Sequence, residues 1–222
     1  MANRSYIYSI DFDRSSRKKQ ETDKMYGLSE YPYEIPLSYK ILVSQETKMT
    51  DSIIWDYEYP IAIQGNFELG RKKLFDFLNE LLKKNIFDKT ELENQIKEAK
   101  EFLFEEKRNL KFVFLENGEI YEMGDEKIEA QNQNLFEEIS DINQIIEEFL
   151  LDIQEQKQKI TDLDDKIIEL NKTGFWNKIF HTNNNSIKIT ELEKKKQEIE
   201  QEMWNLLGIN YWDDVLYFQF DE

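Results

Sequence analysis

The alternation of hydrophobic and polar positions predicts short strands at both ends of the chain and between its helices. Runs rich in aromatic and β-branched residues are typical of half-buried strands. They occur at residues 5–12 (SYIYSIDF), 59–64 (YPIAIQ), 110–115 and 214–222 (DVLYFQFDE). The Asn117-Gly118 pair after the third run suits the positive φ angles of a tight turn, so the sequence predicts a hairpin with residues 119–123.

Helical spacing of apolar residues predicts three helices before residue 110. Pro36 is well placed to open a short helix over residues 37–44, because proline fits the first helical turn. Apolar residues recur three and four apart over residues 69–84, which indicates an amphipathic helix. Asp88 and Glu91 stand at capping-box spacing, so a further helix is predicted to end near residue 108.

From residue 139 onward the hydrophobic positions repeat every seven residues, as in a coiled coil. The two interleaved series are Ile139, Ile146, Ile153, Ile160, Ile167 and Ile142, Phe149, Gln156, Leu163, Leu170. After a predicted loop at residues 171–186 the pattern resumes with Ile189, Leu192, Lys196, Ile199, Met203 and Leu206, and Gly208 ends it. Two such helices fold back most simply as an antiparallel helical hairpin. Pairing of the seam between chains is the alternative, so the oligomeric state stays open.

These elements together predict an α+β protein. Its core is a small, mostly antiparallel sheet with packed helices, built from residues 1–135 and 208–222. Residues 136–207 form an inserted antiparallel coiled-coil helical hairpin. The final strand, rich in aromatic residues, is expected to return to the sheet begun by residues 5–12.

Acidic residues are concentrated in one part of the sequence. The net charge is −17, and residues 113–152 hold twelve acids against a single base, Lys127. This balance disfavours nucleic acid and anionic membranes as partners, because phosphates require clustered lysine and arginine. It favours rapid association with a basic protein, although solubility alone is the alternative explanation. The carboxylates from Glu116 to Asp152 are predicted to form one continuous surface.

Several features predict a cytoplasmic protein without a membrane span. No apolar run approaches the roughly 20 residues that a spanning helix needs. The first residues lack the basic start, apolar stretch and cleavage site of a signal peptide. The absence of cysteine fits this location and excludes disulfides and thiol catalysis.

The sequence offers little catalytic chemistry. Asp11 and Asp13 follow a hydrophobic strand and resemble the Asp-x-Asp motif of haloacid-dehalogenase-type phosphatases, in which the first aspartate is the nucleophile. The departure is that Arg14 and Ser15 stand where that family has a small or β-branched residue and then threonine. A zinc site is excluded by one histidine and no cysteine. We therefore predict no catalytic residue, metal or cofactor.

Two segments and one helix connection are candidate partner-binding sites. Aromatic residues interleaved with acids are typical of contacts to basic partners. The candidates are Trp55, Asp56, Tyr57 and Glu58, then Glu119, Glu122, Asp125, Glu126 and Glu129, and Trp176 in the predicted hairpin tip. The alternative for the first segment is a loop whose aromatic side chains cap the core. The tip either exposes its apolar residues or closes the end of the coiled coil.

Three segments within the first seventy or so residues, MANRSYIYSI, GLSEYPYEIPLSYKIL and YPIAIQGNFELG, resemble an uncharacterised family of small bacterial proteins. That family opens with nearly the same Met-Ala-Asn-Arg-Ser-Tyr-Leu-Tyr phrase, followed by a Gly-Leu-Ser-Glu segment and a Gly-Asn/Asp-Phe turn. The resemblance covers about a third of the chain and implies no reaction or catalytic residues. Its style and size are similar to those of orphan immunity proteins of bacterial toxin systems.

The sequence therefore predicts a non-enzymatic acidic binding protein. Its partner is expected to be a basic protein, such as a cognate bacterial toxin that it neutralises by direct binding. Two alternatives remain at this point. One is a magnesium-dependent phosphatase-like hydrolase that uses Asp11 and Asp13, and the other is a coiled-coil adaptor.

Overall fold

The computed structural model describes residues 3–177 and 184–220, and the side chains of residues 3–172 and 185–220. Within these ranges the strands are β1 (Arg4–Ile10), β2 (Met25–Pro32), β3 (Lys48–Thr50), β4 (Ala62–Asn66) and β5 (Phe112–Glu116). The helices are α1 (Leu37–Val43), α2 (Phe67–Lys84), α3 (Lys89–Leu103), α4 (Gly118–Tyr121), α5 (Ile128–Ser140), α6 (Ile142–Asn177) and α7 (Asn184–Leu207). The predicted α+β class is confirmed.

The strands form one sheet in the order β2-β1-β5-β4-β3, and every neighbouring pair is antiparallel. Strand β5 lies at the centre, between β1 and β4. Side chains alternate between the two faces of a sheet. Tyr8 and its partner Phe114 therefore share one face, and Tyr6 and its partner Glu116 lie on the same one.

Helices α1 and α2 pack on the opposite face, against β4 and β5. Pro36 precedes α1, as predicted, because its fixed φ of −69° suits a helix start. Helix α2 begins after Asn66, whose side chain accepts a hydrogen bond from the backbone N–H of Leu69 at 3.2 Å. This satisfies one of the unpaired donors at a helix start. The first two predicted helices are confirmed.

Helix α3 begins where the sequence predicts it. The Asp88 carboxylate accepts the backbone N–H of Glu91 at 2.9 Å, which is the N-cap half of a capping box. The helix ends earlier than predicted, at Leu103, and a short 3-10 turn follows at Glu106–Arg108.

A buried arginine joins α2 to the segment after α3. The guanidinium of Arg71 lies between the rings of Phe67 and Phe104, 4.5 and 4.4 Å from their centroids. It donates hydrogen bonds to the Leu103 carbonyl at 2.8 Å and to Asn109 Oδ1 at 2.6 Å. Stacking and bidentate donation compensate the loss of water around this charge.

Irregular chain covers the face of the sheet that bears Tyr6 and Tyr8. Two segments supply partly buried apolar side chains to this cluster: Ile53, Ile54 and Trp55 from the loop after β3, and Phe218 and Phe220 from the tail, residues 213–220. The ring centroid of Phe218 lies 5.2 Å from that of Tyr6, edge to face. This half of the core is therefore largely aromatic.

The predicted hairpin at residues 110–123 is wrong. Strand β5 ends at Glu116, and residues 118–121 form the short helix α4. Both edges of β5 are already paired, with β1 and β4, so no edge is free for a hairpin partner. Asn117 has a φ of −128°, which is not the positive value that a tight hairpin turn requires.

The predicted final strand is also wrong over the described residues 214–220. Among the described residues, the backbone pairing of this segment with the edge of the sheet is limited to an isolated bridge between Trp212 and Ser29. Beyond it, the tail lies over a face of the sheet, where the predicted alternation of side chains persists. Leu216 is buried, whereas Val215 and Tyr217 are exposed.

The chain divides into two compact units, Met1–Ile146 with Leu207–Glu222, and Glu147–Leu206. In the second unit the seam positions of α6 and α7 are buried or half-buried, and Lys196 Nζ lies 2.8 Å from Asp164 Oδ1. This contact joins positions about equally far from the end of α6 and from the start of α7, as the predicted antiparallel hairpin requires. None of the described helices combines the length and apolar character needed to cross a membrane.

Two details of the hairpin prediction are wrong. The helix does not run unbroken from Ile139, because α5 ends at Ser140 and α6 begins at Ile142. Asp141, a residue type favoured just before a helix start, separates them. The predicted loop at 171–186 is helical at residues 171–177 and 184–186.

Candidate functional site

The structure brings together two of the segments selected from the sequence as partner-binding candidates. Trp55 lies against α4, where a Cβ added at Gly118 would stand 2.7 Å from Cε3 of its ring. Only glycine permits this close approach. Two residues further, the Tyr57 hydroxyl donates a hydrogen bond to Glu122 Oε1 at 3.2 Å. The loop of residues 55–58 therefore rests on the start of the acidic segment.

A buried chain of hydrogen bonds holds the end of this loop. Asn132 on α5 donates to the carbonyl of Pro60 at 3.1 Å, and its own side-chain oxygen accepts from the Tyr121 hydroxyl at 2.9 Å. Asn117 in turn donates to that hydroxyl at 3.3 Å. Burial raises the pKa of Tyr121 well above its ordinary value, so the hydroxyl stays neutral. These bonds fix the loop to both α4 and α5.

Six exposed carboxylates lie on the loop and on the chain from the end of α4 to the first turn of α5. They form what we call the acidic face: Asp56, Glu58, Glu122, Asp125, Glu126 and Glu129. In the part of the chain that the structure describes, Asp56, Glu58, Asp125 and Glu129 make no ion pair or side-chain hydrogen bond of their own. Lys127 is the single base in residues 113–152. The acidic face therefore keeps most of its charge uncompensated.

Trp55 and Glu119, two other candidates, have structural contacts. Trp55 is half-buried, with its ring centroid 5.4 Å from that of Phe218, so it caps the core as the alternative interpretation predicts. The Glu119 carboxylate accepts the backbone N–H of Arg4 at 2.9 Å and the Tyr6 hydroxyl at 3.1 Å. The carboxylate therefore satisfies the backbone N–H of Arg4 at the start of β1, beyond the last pair that β1 forms with β5. Both support the acidic face rather than extend it.

The structure does not test the candidate residue at the hairpin tip. Trp176 belongs to the last turn of α6, and its side chain lies outside the described residues, as do residues 178–183. Its role stays a prediction.

The prediction of one continuous acidic surface from Glu116 is wrong at its first residue. Glu116 is fully buried. Its Oε1 accepts the Ser52 hydroxyl at 3.1 Å and the backbone N–H groups of Ile53 at 2.6 Å and Ile54 at 3.3 Å. Its Oε2 has no hydrogen-bond partner among the residues that the structure describes. The sequence gives one indication of this burial, which is that the glutamate ends an apolar strand (FVFLE).

The Asp-x-Asp motif does not have the surroundings of a phosphatase site. Strand β1 is antiparallel to both neighbours, whereas that motif belongs to a parallel sheet. Asp11 is exposed and accepts the backbone N–H of Lys24 at 3.0 Å. Partial burial alone would raise the pKa of Asp13, but hydrogen bonds from Ser15 and Gln64 outweigh it and lower the pKa to about 2. Such a carboxylate suits a structural acceptor better than an acid or base near neutral pH.

An open cavity of about 380 Å³ lies between α3 and residues 209–212. Its aromatic walls are Phe102 and Trp212, whose ring centroids are 6.4 Å apart. Two of its three glutamates have basic neighbours within the chain: Glu101 lies 3.9 Å from Lys97, and Glu105 pairs with a buried arginine. It therefore offers less uncompensated charge than the acidic face.

Residues 14–156 match a protein family described as a domain of unknown function (DUF7822). The match covers nearly two thirds of the chain. The chain belongs to the DUF7822 family. No curated protein and no solved structure matches it.

The DUF7822 range contains the whole acidic face, the supporting residues Trp55 and Glu119, and the buried Glu116. Helix α7 and the tail lie outside it. The family carries no known function, so its name adds no catalytic or binding residue to those argued from geometry.

Proposed function

We propose that this DUF7822 protein is a non-enzymatic binding protein whose acidic face covers a basic surface of a partner protein. The observation that carries the proposal is the contact between two acidic segments about 60 residues apart in sequence, through Trp55 on Gly118 and Tyr57 on Glu122. We infer, as the specific case, an immunity protein that neutralises a basic bacterial toxin in the cytoplasm, because charge complementarity favours rapid and selective association with such a toxin.

Preorganisation supports this proposal. The loop of residues 55–60 is held by the hydrogen bonds to Glu122 and Asn132, so its carboxylates need little ordering when a partner binds. Uncompensated charge of one sign speeds encounter with a basic surface, and it acts over the Debye length, about 8 Å at physiological salt. Tyr57, half-buried among these acids, is of the residue type that dominates binding hot spots.

The two alternatives gain less support. No described feature favours a hydrolase at Asp11 and Asp13, for the reasons given above. A coiled-coil adaptor requires an apolar seam that is open to another chain. The seam positions Ile153, Ile160 and Leu163 of α6 are buried within this chain, in the unit that α6 forms with α7.

The experiment compares two variants of equal net charge. The test variant carries Glu122→Lys, Asp125→Lys and Glu129→Lys on the acidic face. The control carries Asp76→Lys, Glu91→Lys and Glu202→Lys, which are exposed acids elsewhere. Each protein is immobilised and used to capture proteins from a lysate of the native host, with identification by mass spectrometry.

We expect a basic protein that wild type and the control both retain and that the test variant loses. With that partner purified, its association rate with wild type should fall as salt rises. Equal loss from both variants would mean that net charge alone is responsible. Equal retention by both would overturn the acidic face as the binding site.

A further inference from the structure

Glu116 joins the sheet to the loop that leads into the acidic face. Its carboxylate lies under residues 52–54, where three donors converge on Oε1. Ser52 is the centre of this arrangement, because its hydroxyl donates to Glu116 and accepts the backbone N–H groups of Ile54 at 2.9 Å and Trp55 at 2.7 Å. The turn that presents Trp55 is therefore built around one buried carboxyl group.

Few charged or titratable groups act on this carboxyl. From the segment after β1, the buried Arg14 attracts it, although Arg14 also lies 3.3 Å from Asp51 and donates to the Ser52 carbonyl at 3.1 Å. From β1 and α4, Tyr8 and Tyr121 interact with it electrostatically. Burial raises the pKa of both tyrosines far above neutrality, so neither changes charge near neutral pH.

We propose that Glu116 is a positioning residue that latches the Ser52–Trp55 turn to the sheet, and that ionisation of this carboxyl releases the turn. A regulatory role for this release rests on the proposed function, because the turn leads into the loop that bears Asp56 and Glu58 of the acidic face. The latch itself is a property of the chain alone.

The direction of the pH dependence follows from the linkage between proton binding and opening of the turn. Burial raises the pKa of Glu116 from 4.5 to about 7, against the hydrogen bonds and the Arg14 charge that lower it. An opened turn exposes the carboxyl to water and returns its pKa towards 4.5. The closed form therefore binds the proton more tightly, so acid favours closure. As the pH rises through about 7, the ionised carboxylate favours opening. Binding at the acidic face weakens once the open form is a substantial share of the molecules.

The test is amide hydrogen exchange, read by NMR at Ile53, Ile54 and Trp55 and expressed as protection relative to an unstructured chain. With pKa values of 4.5 open and about 7 closed, opening should increase about tenfold between about pH 6 and about pH 8. Protection at these three amides should fall by that factor. In Glu116→Gln the amide oxygen keeps the acceptor role but does not titrate, so protection should stay flat.

The matched control is Glu119→Gln. This carboxylate also accepts a backbone N–H and a hydroxyl, but its described hydrogen bonds go to Arg4 and Tyr6 and not to the turn, so this variant should keep the wild-type slope. If protection in the wild type does not change with pH, the proposal is overturned even if Glu116→Gln does not fold. It is also overturned if protection in Glu116→Gln falls with pH as steeply as in the wild type. Because no partner is present, this failure is distinct from a failure to bind a basic protein.

Discussion

Replacing Ile153 by aspartate should unfold the helical unit Glu147–Leu206 and leave the sheet folded. Ile153 is fully buried in α6 at a seam position of the heptad pattern. Lys196, the base at a seam position, is already paired with Asp164, so it is not free to pair with the new carboxyl group. In either protonation state the buried carboxyl group loses its contacts with water. The change therefore removes apolar packing and adds a desolvation cost at one site.

The size of the effect decides the outcome. Loss of a buried isoleucine side chain costs about 2–5 kcal/mol. An unpaired buried carboxyl group costs several kcal/mol more. At roughly 0.05–0.15 kcal/mol per residue, a unit of this length has a free energy of unfolding of about 3–9 kcal/mol. The substitution is therefore expected to remove most or all of the free energy of unfolding of the unit.

Circular dichroism and NMR give separate readouts. Because α6 and α7 supply about half of the helical residues, we expect the signal at 222 nm to fall by nearly that share. Amide resonances of β1 and β5 should be unchanged. The control is Leu151→Asp, two residues away in the same helix but 69% exposed, which should leave the spectrum intact. Equal loss in both variants, or an unchanged spectrum in Ile153→Asp, would refute the reasoning.

Three further outcomes are expected. Gly118→Ala pushes a methyl group into the Trp55 ring, so the free energy of unfolding should fall by about 1–3 kcal/mol and the urea midpoint should fall with it; an unchanged midpoint would contradict the close approach. Arg71→Met leaves two acceptors without a donor and should cost about 1.5–3 kcal/mol, whereas the exposed neighbour change Lys72→Met should be nearly neutral. Phosphomonoesters with magnesium should show no turnover, and a rate abolished by Asp11→Asn would overturn the binding-protein proposal.

Local sequence was sufficient for the starts of α1, α2 and α3 and for the heptad pattern, because their signals are local, but it did not predict α4. Pro36, Asn66 and Asp88 stand at helix starts and act on residues within one turn. The heptad pattern likewise predicted which positions are packed, since the seam positions in the second unit are buried or half-buried. Such elements depend on neighbours three, four or seven residues away, which a sequence displays directly.

Two strands, at residues 119–123 and 214–220, were predicted wrongly for a different reason, and β2 and β3 were not predicted. The Asn117-Gly118 pair is a good hairpin signal, but β5 is paired on both edges by strands far away in sequence. Gly118 is used for the approach of Trp55 and not for a positive φ. The tail has the alternation of a strand, yet it lies on a face of the sheet. Tertiary contacts decide both cases, and no short window of sequence contains them.

The site was predicted in part. Composition and spacing selected Trp55–Glu58 and the acids from Glu119 to Glu129. The contact between Tyr57 and Glu122 could not be inferred, because it depends on where β4 and β5 lie in the sheet. Glu116 was counted with the surface acids, since charge counts assume exposure. Its burial follows from its register opposite Tyr6 and Ala62 in the middle of the sheet.

The acids of residues 113–152 do not act as one group, and this changes what net charge implies about binding. Glu116 is buried under a turn, Glu119 completes a strand end, and Glu138 lies 2.7 Å from Lys40. Glu119 and Glu138 still add to the long-range field that would steer a basic partner, because a field sums over charges, whereas Glu116 adds to it only when it is ionised. Only exposed carboxylates without internal partners, such as Asp125 and Glu129, are free to make contacts. Under the proposed function, net charge would set how fast a partner arrives, whereas the small acidic face would select which partner stays bound.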